Sequence, residues 1–577
     1  MTEPEPANHD ASTQPPADTA ATPLERLRAA VVAAAEGLAG EGAGGGQIML
    51  ERPRRAQFGD YSTNAALLLA PGLGGAPRDV AEQLGQALQV RLGASLERFE
   101  VAGPGFLNLF LSDSWLTGAL AQALAAGNEF GAGTVGEPQR VLVEFVSANP
   151  TGPMHVGHAR NAAYGDSLAR MLALQGHRVE REFYVNDAGS QVRKLGESIQ
   201  ALARGLQVPE DGYKGDYVVE LAARIPDAAN GEPGALGHAA VAIMIDGIKA
   251  SLEGFGVGEF DVWSYETALH EGDPSPVAHT LSLLERQGHT FTSEGALWLR
   301  TTDFGDDKDR VLVRSSGEHT YFASDIAYHQ DKRERGFQRQ IDVWGADHHG
   351  YVLRMKAAYE ALGGDPDELE LLIMQLVHLM SSGERAQMSK RAGEFVSLDD
   401  LVAEIGVDAA RWYLLARSHD TTVDLDLDLA RQQSNENPVY YVQYAHARIA
   451  SMLAKAGPER VDAAVAAVAD AALELSGDTP SQGAQREPLH VTERALVLQL
   501  LAFPAELAEA AERRAPHRIA AYALELAQTF TAFYRDCHVV GVEPEAVESL
   551  RIALCVASAS TIARCLGLLG VSAPNSM

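Results

Sequence analysis

Arg140-Val141-Leu142-Val143-Glu144-Phe145-Val146 runs directly into Ser147-Ala148-Asn149-Pro150-Thr151-Gly152-Pro153-Met154-His155-Val156-Gly157-His158, and a helical pattern continues from Ala159 to Leu174. A β-branched run, a tight Gly/Pro loop and a helix form the opening unit of a doubly wound nucleotide-binding sheet. The N-terminus of such a helix presents unpaired N–H groups and a partial positive charge, which suits a triphosphate. Gly157 lacks a Cβ, so a purine ring can lie against the backbone there. His155 and His158, three apart at the helix start, project the same way and can both donate to phosphate oxygens as charge develops. A bare H-x-x-H also reads as half a zinc site or as two unrelated surface histidines. No cysteine is near, and no third ligand has the spacing zinc needs.

Outward from this unit, 137–430 mixes β-rich runs with helical patterns. The runs are Arg140 to Val146, Ile341 to Ala346 and Leu372 to Met380. The alternation predicts an α/β catalytic domain with a doubly wound parallel, Rossmann-like sheet, interrupted by an insertion around 190–300. Before it, 23–127 carries a helix (Leu24 to Leu38) and a strand-like run (Gly105 to Leu111), which predicts a small α+β N-terminal domain. After it, 435–577 loses its β signal and reads as a C-terminal α-helical bundle, with a loop from Ser476 to Gln485. Residues 1–22, rich in Pro, Ala, Thr and Asp, read as a disordered tail.

Composition limits the function classes. The 577 residues hold 47 Lys plus Arg against 78 Asp plus Glu, a net charge of −31, which argues against nucleic-acid binding by bulk charge and leaves only a local basic face. The most apolar stretch, Leu550 to Val571, carries Arg551 and Arg564, so no membrane span is expected. An acidic, Pro-rich start lacks the basic and apolar parts of a secretory signal, and a cytoplasmic protein is expected. Cys537, Cys555 and Cys565 form no C-x-x-C pair, so buried free thiols are expected, with neither a disulfide framework nor a structural zinc.

A second loop, Gln387-Met388-Ser389-Lys390-Arg391-Ala392-Gly393-Glu394-Phe395, precedes Ser397 and Asp400, whose spacing is that of a capping box. A lysine on such a loop can close over a triphosphate and neutralise transition-state charge. In isolation the loop would read as a solvated basic turn. A guanidinium ligand asks for carboxylates in fork geometry. Glu144 lies on the strand entering the first loop, and Asp325 lies in Thr320-Tyr321-Phe322-Ala323-Ser324-Asp325-Ile326-Ala327-Tyr328. Gly345-Ala346-Asp347-His348-His349 follows another strand end, where open α/β sheets bind ligands. The histidine pair there reads alternatively as a metal site.

The phrase Ser147 to His158 resembles the "HIGH" signature of class I aminoacyl-tRNA synthetases in its arginyl form. The likeness extends through Arg160-Asn161-Ala162-Ala163-Tyr164-Gly165-Asp166 and Glu182-Phe183-Tyr184-Val185-Asn186-Asp187-Ala188-Gly189. The second loop is similar to the "KMSKS" loop of the same class. There Gln387 stands in place of the first lysine, Arg391 stands in place of the last serine, and Lys390 matches the second lysine. The resemblance implies an arginine–tRNA ligase that uses ATP as substrate, with Mg²⁺ carried on it, and that activates arginine only with tRNA bound. It assigns catalysis to His155, His158 and Lys390, and ATP binding to His155, Gly157, His158, Met388, Ser389 and Lys390. Arginine binding falls to Glu144, Asn149, Tyr321 and Asp325; Asp347 and His348 are weaker candidates, for contact with the adenosine ribose or the amino acid. It also implies tRNA(Arg) as partner and a monomeric state.

For RNA contact, Arg52, Arg54, Arg55 and Phe58-Gly59-Asp60-Tyr61 look like the family's elbow-binding domain. Asn435 to Ile449 looks like the start of its anticodon-binding bundle. Tyr440, Tyr444, His446, Arg448, Phe533, Tyr534 and Arg535 are stacking candidates there, though aromatics at helical spacing more often form core. From Asn435 to Met577 there are 11 basic and 16 acidic side chains (11 − 16 = −5), so RNA contact must use shape, stacking or a local face. Two rival readings are a silent tRNA-binding paralogue, suggested by Gln387, and a small nucleotidyltransferase, which would not need the long helical C-terminus. Lys390→Ala is expected to slow adenylate formation by more than about tenfold, ~1.4 kcal/mol in barrier. An unchanged pyrophosphate-exchange rate would take this lysine out of the mechanism.

Overall fold

The computed structural model describes residues 21–39, 47–53, 55–133, 135–385, 396–476 and 488–577. The chain forms two compact units, Met1–Ala126 with Val465–Ala502 and Gly127–Ala464 with Phe503–Met577. The smaller unit opens with helix Pro23–Ala39, which buries Leu27, Val31 and Ala35. A four-stranded antiparallel sheet follows in the order Leu50–Glu51, Tyr61–Thr63, Phe106–Leu111, Leu96–Ala102. Asp60 is buried in this unit because Arg494 reaches it, with Nε at 3.0 Å from Oδ1, while also bonding Asp113 at 2.8 Å.

The larger unit is built on a five-stranded parallel sheet ordered Leu369–Met374, Arg339–Gly345, Arg140–Glu144, Arg178–Val185, Val262–Tyr265. The chain first lays strands outward from Arg140–Glu144 and then returns to its other side with Arg339–Gly345. The reversal leaves a crevice at the carboxyl ends of those two strands, where doubly wound sheets take ligands. Helix Val156–Leu174 crosses over the sheet and buries fourteen of its residues. Close approach is possible because Gly165 has no side chain; a Cβ there would stand 2.1 Å from the Phe145 ring.

The expected strand from Leu372 to Met380 is two strands in different sheets. Leu369–Met374 closes the parallel sheet, while Val377–Ser381 pairs in parallel with Val423–Asp426. The break falls at Gln375 and Leu376, whose backbone groups bond the 418–423 segment instead: Gln375 N–H to the His419 carbonyl, 2.8 Å, and Val423 N–H to the Leu376 carbonyl, 3.0 Å. A largely apolar run cannot reveal such a change of partner, because both halves are strands of similar, mostly half-buried pattern. The Ser476–Gln485 segment, apart from Ser476 at the end of helix Pro458–Ser476, lies outside the described residues.

Helices Pro438–Ala456, Phe503–Glu512, Pro516–Asp536 and Glu545–Leu569 complete the larger unit. Pro233–Gly254 and Glu545–Leu569 are each long and apolar enough to cross a membrane. In Glu545–Leu569 that apolarity faces the core, through Ile552, Leu554, Ile562, Leu566 and Leu569. Cys537, Cys555 and Cys565 are free and buried, and burial pushes the Cys555 and Cys565 thiols well above their usual range.

Asp166, fully buried, ties this helical part to the sheet. Arg411 reaches it at 2.6 Å, Arg170 at 2.9 Å and Arg181 at 3.4 Å, so three guanidinium groups share one carboxylate. Arg411 also donates to the carbonyls of Leu569 and Phe255, at 2.7 and 3.2 Å. Removing one partner of a buried pair strands the other, so Arg411→Met is expected to cost about 3–5 kcal/mol. Denaturant unfolding of the variant against the parent chain measures that loss.

Candidate active site

The loop 145–155 leaves the central strand through two residues in the left-handed region, Val146 (φ 70°) and Ser147 (φ 39°). A β-branched residue pays heavily for that conformation, so something must hold it. Asn161 does so from the crossover helix. Its Oδ1 accepts the Val146 N–H at 2.6 Å, and its Nδ2 donates to the Val343 carbonyl of the neighbouring strand at 2.7 Å. One amide thereby joins the strand end, its neighbour and the helix at the crevice.

His155 caps helix Val156–Leu174. Its Nδ1 accepts the Gly157 N–H at 3.1 Å, and the His155 N–H bonds Nδ1 of His158 at 3.3 Å. The two rings stack with centroids 3.7 Å apart. Burial lowers both imidazole pKa values; Asp347 partly restores that of His155, while His155 further depresses His158, to about 3. Both rings are therefore neutral near pH 7. With each Nδ1 accepting a backbone proton, each neutral ring carries its own proton on Nε2. Gly157 is required on steric grounds as well, since a Cβ would stand 2.9 Å from the His155 ring.

The backbone beside these histidines pairs with the far side of the second loop. Val156 N–H bonds the Val396 carbonyl at 3.1 Å, and Leu398 N–H bonds the Met154 carbonyl at 2.8 Å. Ser397 and Asp400 form the expected capping box on helix Leu398–Ile405. Met388, Ser389 and Lys390 lie outside the described residues.

Across the crevice, helix Tyr321–Glu334 is capped by Thr320 and presents Tyr321 and Asp325 at its start. Tyr321 is 57% exposed, and Asp325 is half-buried with Oδ2 accepting from the Tyr351 hydroxyl at 2.5 Å. Burial raises the Asp325 carboxyl, while that hydrogen bond and the nearby His329 and His348 oppose the rise. Asp347 and His348 are exposed and 3.4 Å apart; Asp347 acts on His155 and His348 on Asp325. Asn149 is exposed and has no hydrogen-bond partner among the described residues. Glu144 is buried, and both its oxygens are engaged, one by the Ser147 hydroxyl at 2.7 Å and one by Lys332 at 2.5 Å.

Glu266 was not legible in the sequence. It begins the short helix Glu266–His270, amid residues with no motif. Burial and the neighbouring charge of Asp325 raise its carboxyl to about 7, against a hydrogen bond from Tyr184. Tyr184, whose ring lies tilted against that of Tyr328 with centroids 4.6 Å apart, also feels Asp325 and Glu144. Glu266, Asp325 and Glu144 thus surround one aromatic wall, an arrangement that favours a cation. No group of three His, Cys, Asp or Glu suited to a metal occurs among the described residues.

The RNA candidates separate by burial. Tyr440 and Tyr444 stack at 6.0 Å, and Arg448 lies over the exposed Tyr444 and Tyr534 at 4.6 and 5.1 Å. Phe533 is core, and His446 is buried against the Pro574 carbonyl at 3.0 Å. Arg535 is exposed but paired with Asp536. In the smaller unit Arg52, Arg55 and Phe58 are exposed, while Asp60 and Tyr61 are core; Arg54 lies outside the described residues.

The family model of the tRNA synthetases class I (R) catalytic domain matches residues 119–205 and 266–450. The parallel sheet is accordingly that of a class I aminoacyl-tRNA synthetase catalytic domain. The arginyl tRNA synthetase N terminal domain model matches residues 25–111, and the DALR anticodon binding domain model matches 442–577. An arginine–tRNA ligase of Geobacillus thermodenitrificans is 44% identical over 549 residues, 92% of this chain and 94% of its own. That of Bacillus subtilis is 43% identical over 544 residues, with the same coverage, 92% and 94%. The arginyl-tRNA synthetase of Thermus thermophilus superposes with a TM-score of 0.72 at 25% identity, covering 96% of this chain and 99% of its own. The chain belongs to the arginyl-tRNA synthetase family, and its activity is the ATP-dependent ligation of arginine to tRNA in protein synthesis.

A guanidinium binds ionised carboxylates, so arginine affinity should strengthen as pH rises through about 7, where Glu266 loses its proton. In the free protein the sign is opposite: Glu266 binds its proton more tightly when folded, so its contribution to stability falls as pH rises from about 4.5 to about 7. Glu266→Gln should raise the arginine KM at least about tenfold at pH 8 and flatten its pH dependence. Steady-state KM values from pH 6 to 8.5 check both.

Proposed function

We propose that the acidic crevice between His155 and Tyr321 holds arginine for attack on ATP. The guanidinium lies between Asp325 and Glu266 with Tyr321 over its plane, and Asn149 and Glu144 fix the α-amino end. The observation that carries this reading is the convergence of Asp325, Glu266 and Glu144 on Tyr184, with the Tyr184 N–H bonded to the Ser147 hydroxyl that also bonds Glu144.

The arginine carboxylate attacks the α-phosphorus, and pyrophosphate leaves. The Nε2–H groups of His155 and His158 stabilise charge on the phosphate oxygens without adding a cation to the ground state. Lys390, with Met388 and Ser389, covers the triphosphate; Asp347 and His348 stand at its ribose side. A terminal ribose hydroxyl of the tRNA then attacks the adenylate carbonyl, and AMP leaves. Positioning and electrostatics suffice, with no covalent enzyme intermediate. Mg²⁺ arrives on ATP, held mainly by phosphate oxygens, and no structural zinc takes part. Substrates lacking a guanidinium are rejected because they leave buried carboxylates unpaired.

The division of labour we assign is 23–127 for tRNA contact, 137–430 for catalysis and 435–577 for the anticodon. Tyr440, Tyr444, Arg448 and Tyr534 offer the stacking surface of the last. We assign the chain to the cytoplasm, as a monomer. Arginine-dependent exchange of labelled pyrophosphate into ATP, with and without tRNA(Arg), tests the reaction; lysine and cysteine serve as controls. Exchange should require arginine and tRNA together. Intact tRNA binding without exchange would mean a silent paralogue.

A further inference from the structure

Helix Tyr321–Glu334 carries Tyr321, Asp325, Tyr328, His329 and Lys332, spaced so that they share one face. Its start opens into the crevice. Lys332, about 16 Å further along the axis at 1.5 Å per residue, is fully buried. Its ammonium group donates to Glu144 Oε2 at 2.5 Å and Asp342 Oδ1 at 2.8 Å and stands 4.3 Å from the centre of the Tyr328 ring. Glu144 and Asp342 are direct register partners on adjacent parallel strands. One cation therefore clamps both sheet strands that border the crevice.

The bonds continue in both directions. Asp342 Oδ2 is 2.8 Å from His329 Nε2, and His329 Nδ1 is 2.8 Å from the carbonyl of Asp325. Glu144 Oε1 accepts from the Ser147 hydroxyl, which in turn accepts the Tyr184 N–H at 3.1 Å. An unbroken chain of polar contacts thus runs from the Asp325 backbone through His329, Asp342, Lys332 and Glu144 to the loop residue Ser147. Glu182 also faces Lys332, but it is held by Arg335, Tyr328 and Ser264. Asp342 and Glu144 therefore carry the direct contacts.

A buried ion pair adds little net stability over an apolar packing of the same volume, so its value lies in geometry. We propose that Lys332 is a positioning residue for arginine recognition: by bonding Glu144 and Asp342 together it sets how far helix Tyr321–Glu334 slides along the sheet. That register fixes the distance between the Asp325 end of the pocket and the Glu144 end. This rests on the assignment of those two carboxylates to the guanidinium and α-amino ends of arginine.

The test uses the full chain with tRNA in the pyrophosphate-exchange assay. Lys332→Met alone strands two buried carboxylates, so Lys332→Met with Asp342→Asn, which leaves only Glu144 without its cation, is the main variant, and Lys332→Arg, which keeps the charge but alters its reach, is the second. The expected result is an arginine KM raised about tenfold in the first and about threefold in the second, with the ATP KM within about twofold of the parent. A purely structural role would lower the melting temperature without separating the two KM values. If either variant melts as the parent does and keeps its arginine KM, the proposal is overturned. Asp325→Asn and Glu266→Gln run alongside: unchanged arginine KM in both sinks the pocket assignment and the proposal with it. A raised KM there, with parental values in the Lys332 variants, sinks only the proposal.

Discussion

The larger unit turns on a single side-chain amide. Asn161 holds the Val146 N–H and the Val343 carbonyl at once, and so stabilises a left-handed turn that a valine would otherwise avoid. Without that turn the chain would continue as strand past Phe145. With it, the backbone swings out of the sheet, and helix Val156–Leu174 starts above the crevice with His155 and His158 at its tip. Strain of this kind persists where the surroundings over-determine the backbone, and here three elements do so. The stacked rings inherit their tautomer from the same local geometry, because each Nδ1 meets a backbone N–H within the cap.

Charge in this protein is organised by burial rather than by total. The chain carries −31 overall, yet within the larger unit Asp166 gathers three arginines. In the crevice the balance reverses. Lys332 meets both Glu144 and Asp342, while Asp325 and Glu266 have no cation bonded to them among the described residues. On the function proposed above, the guanidinium of arginine is the cation that Asp325 and Glu266 lack. On the same proposed function, RNA contact by an acidic chain uses stacking on Tyr440, Tyr444 and Arg448, which pack against one another, rather than bulk attraction.

Local signals in the chain determined a good deal of this by themselves. The strand-loop-helix grammar around His155, the capping box at Ser397 and Asp400 and the helix read from Leu24 to Leu38 each depend on neighbours a few residues apart; the first two are found as read, and the helix runs one residue further at each end, Pro23–Ala39. The phrases around residues 147–166 and 320–328 pointed to one family, and the comparisons agree. Tertiary structure alone decided what depends on distant partners. It split Leu372–Met380 between two sheets, because His419 and Val423 compete for the backbone of Gln375 and Leu376. It brought Glu266 to Asp325 across 59 residues of sequence (325 − 266), and it buried Glu144 against a lysine 188 residues away. It also made core of Phe533 and Asp60 while leaving Tyr444 and Phe58 outside. Periodicity says that one face of an element is buried and the other exposed; which carboxylate meets a fixed cation and which does not is set only when the strands and helices close on one another.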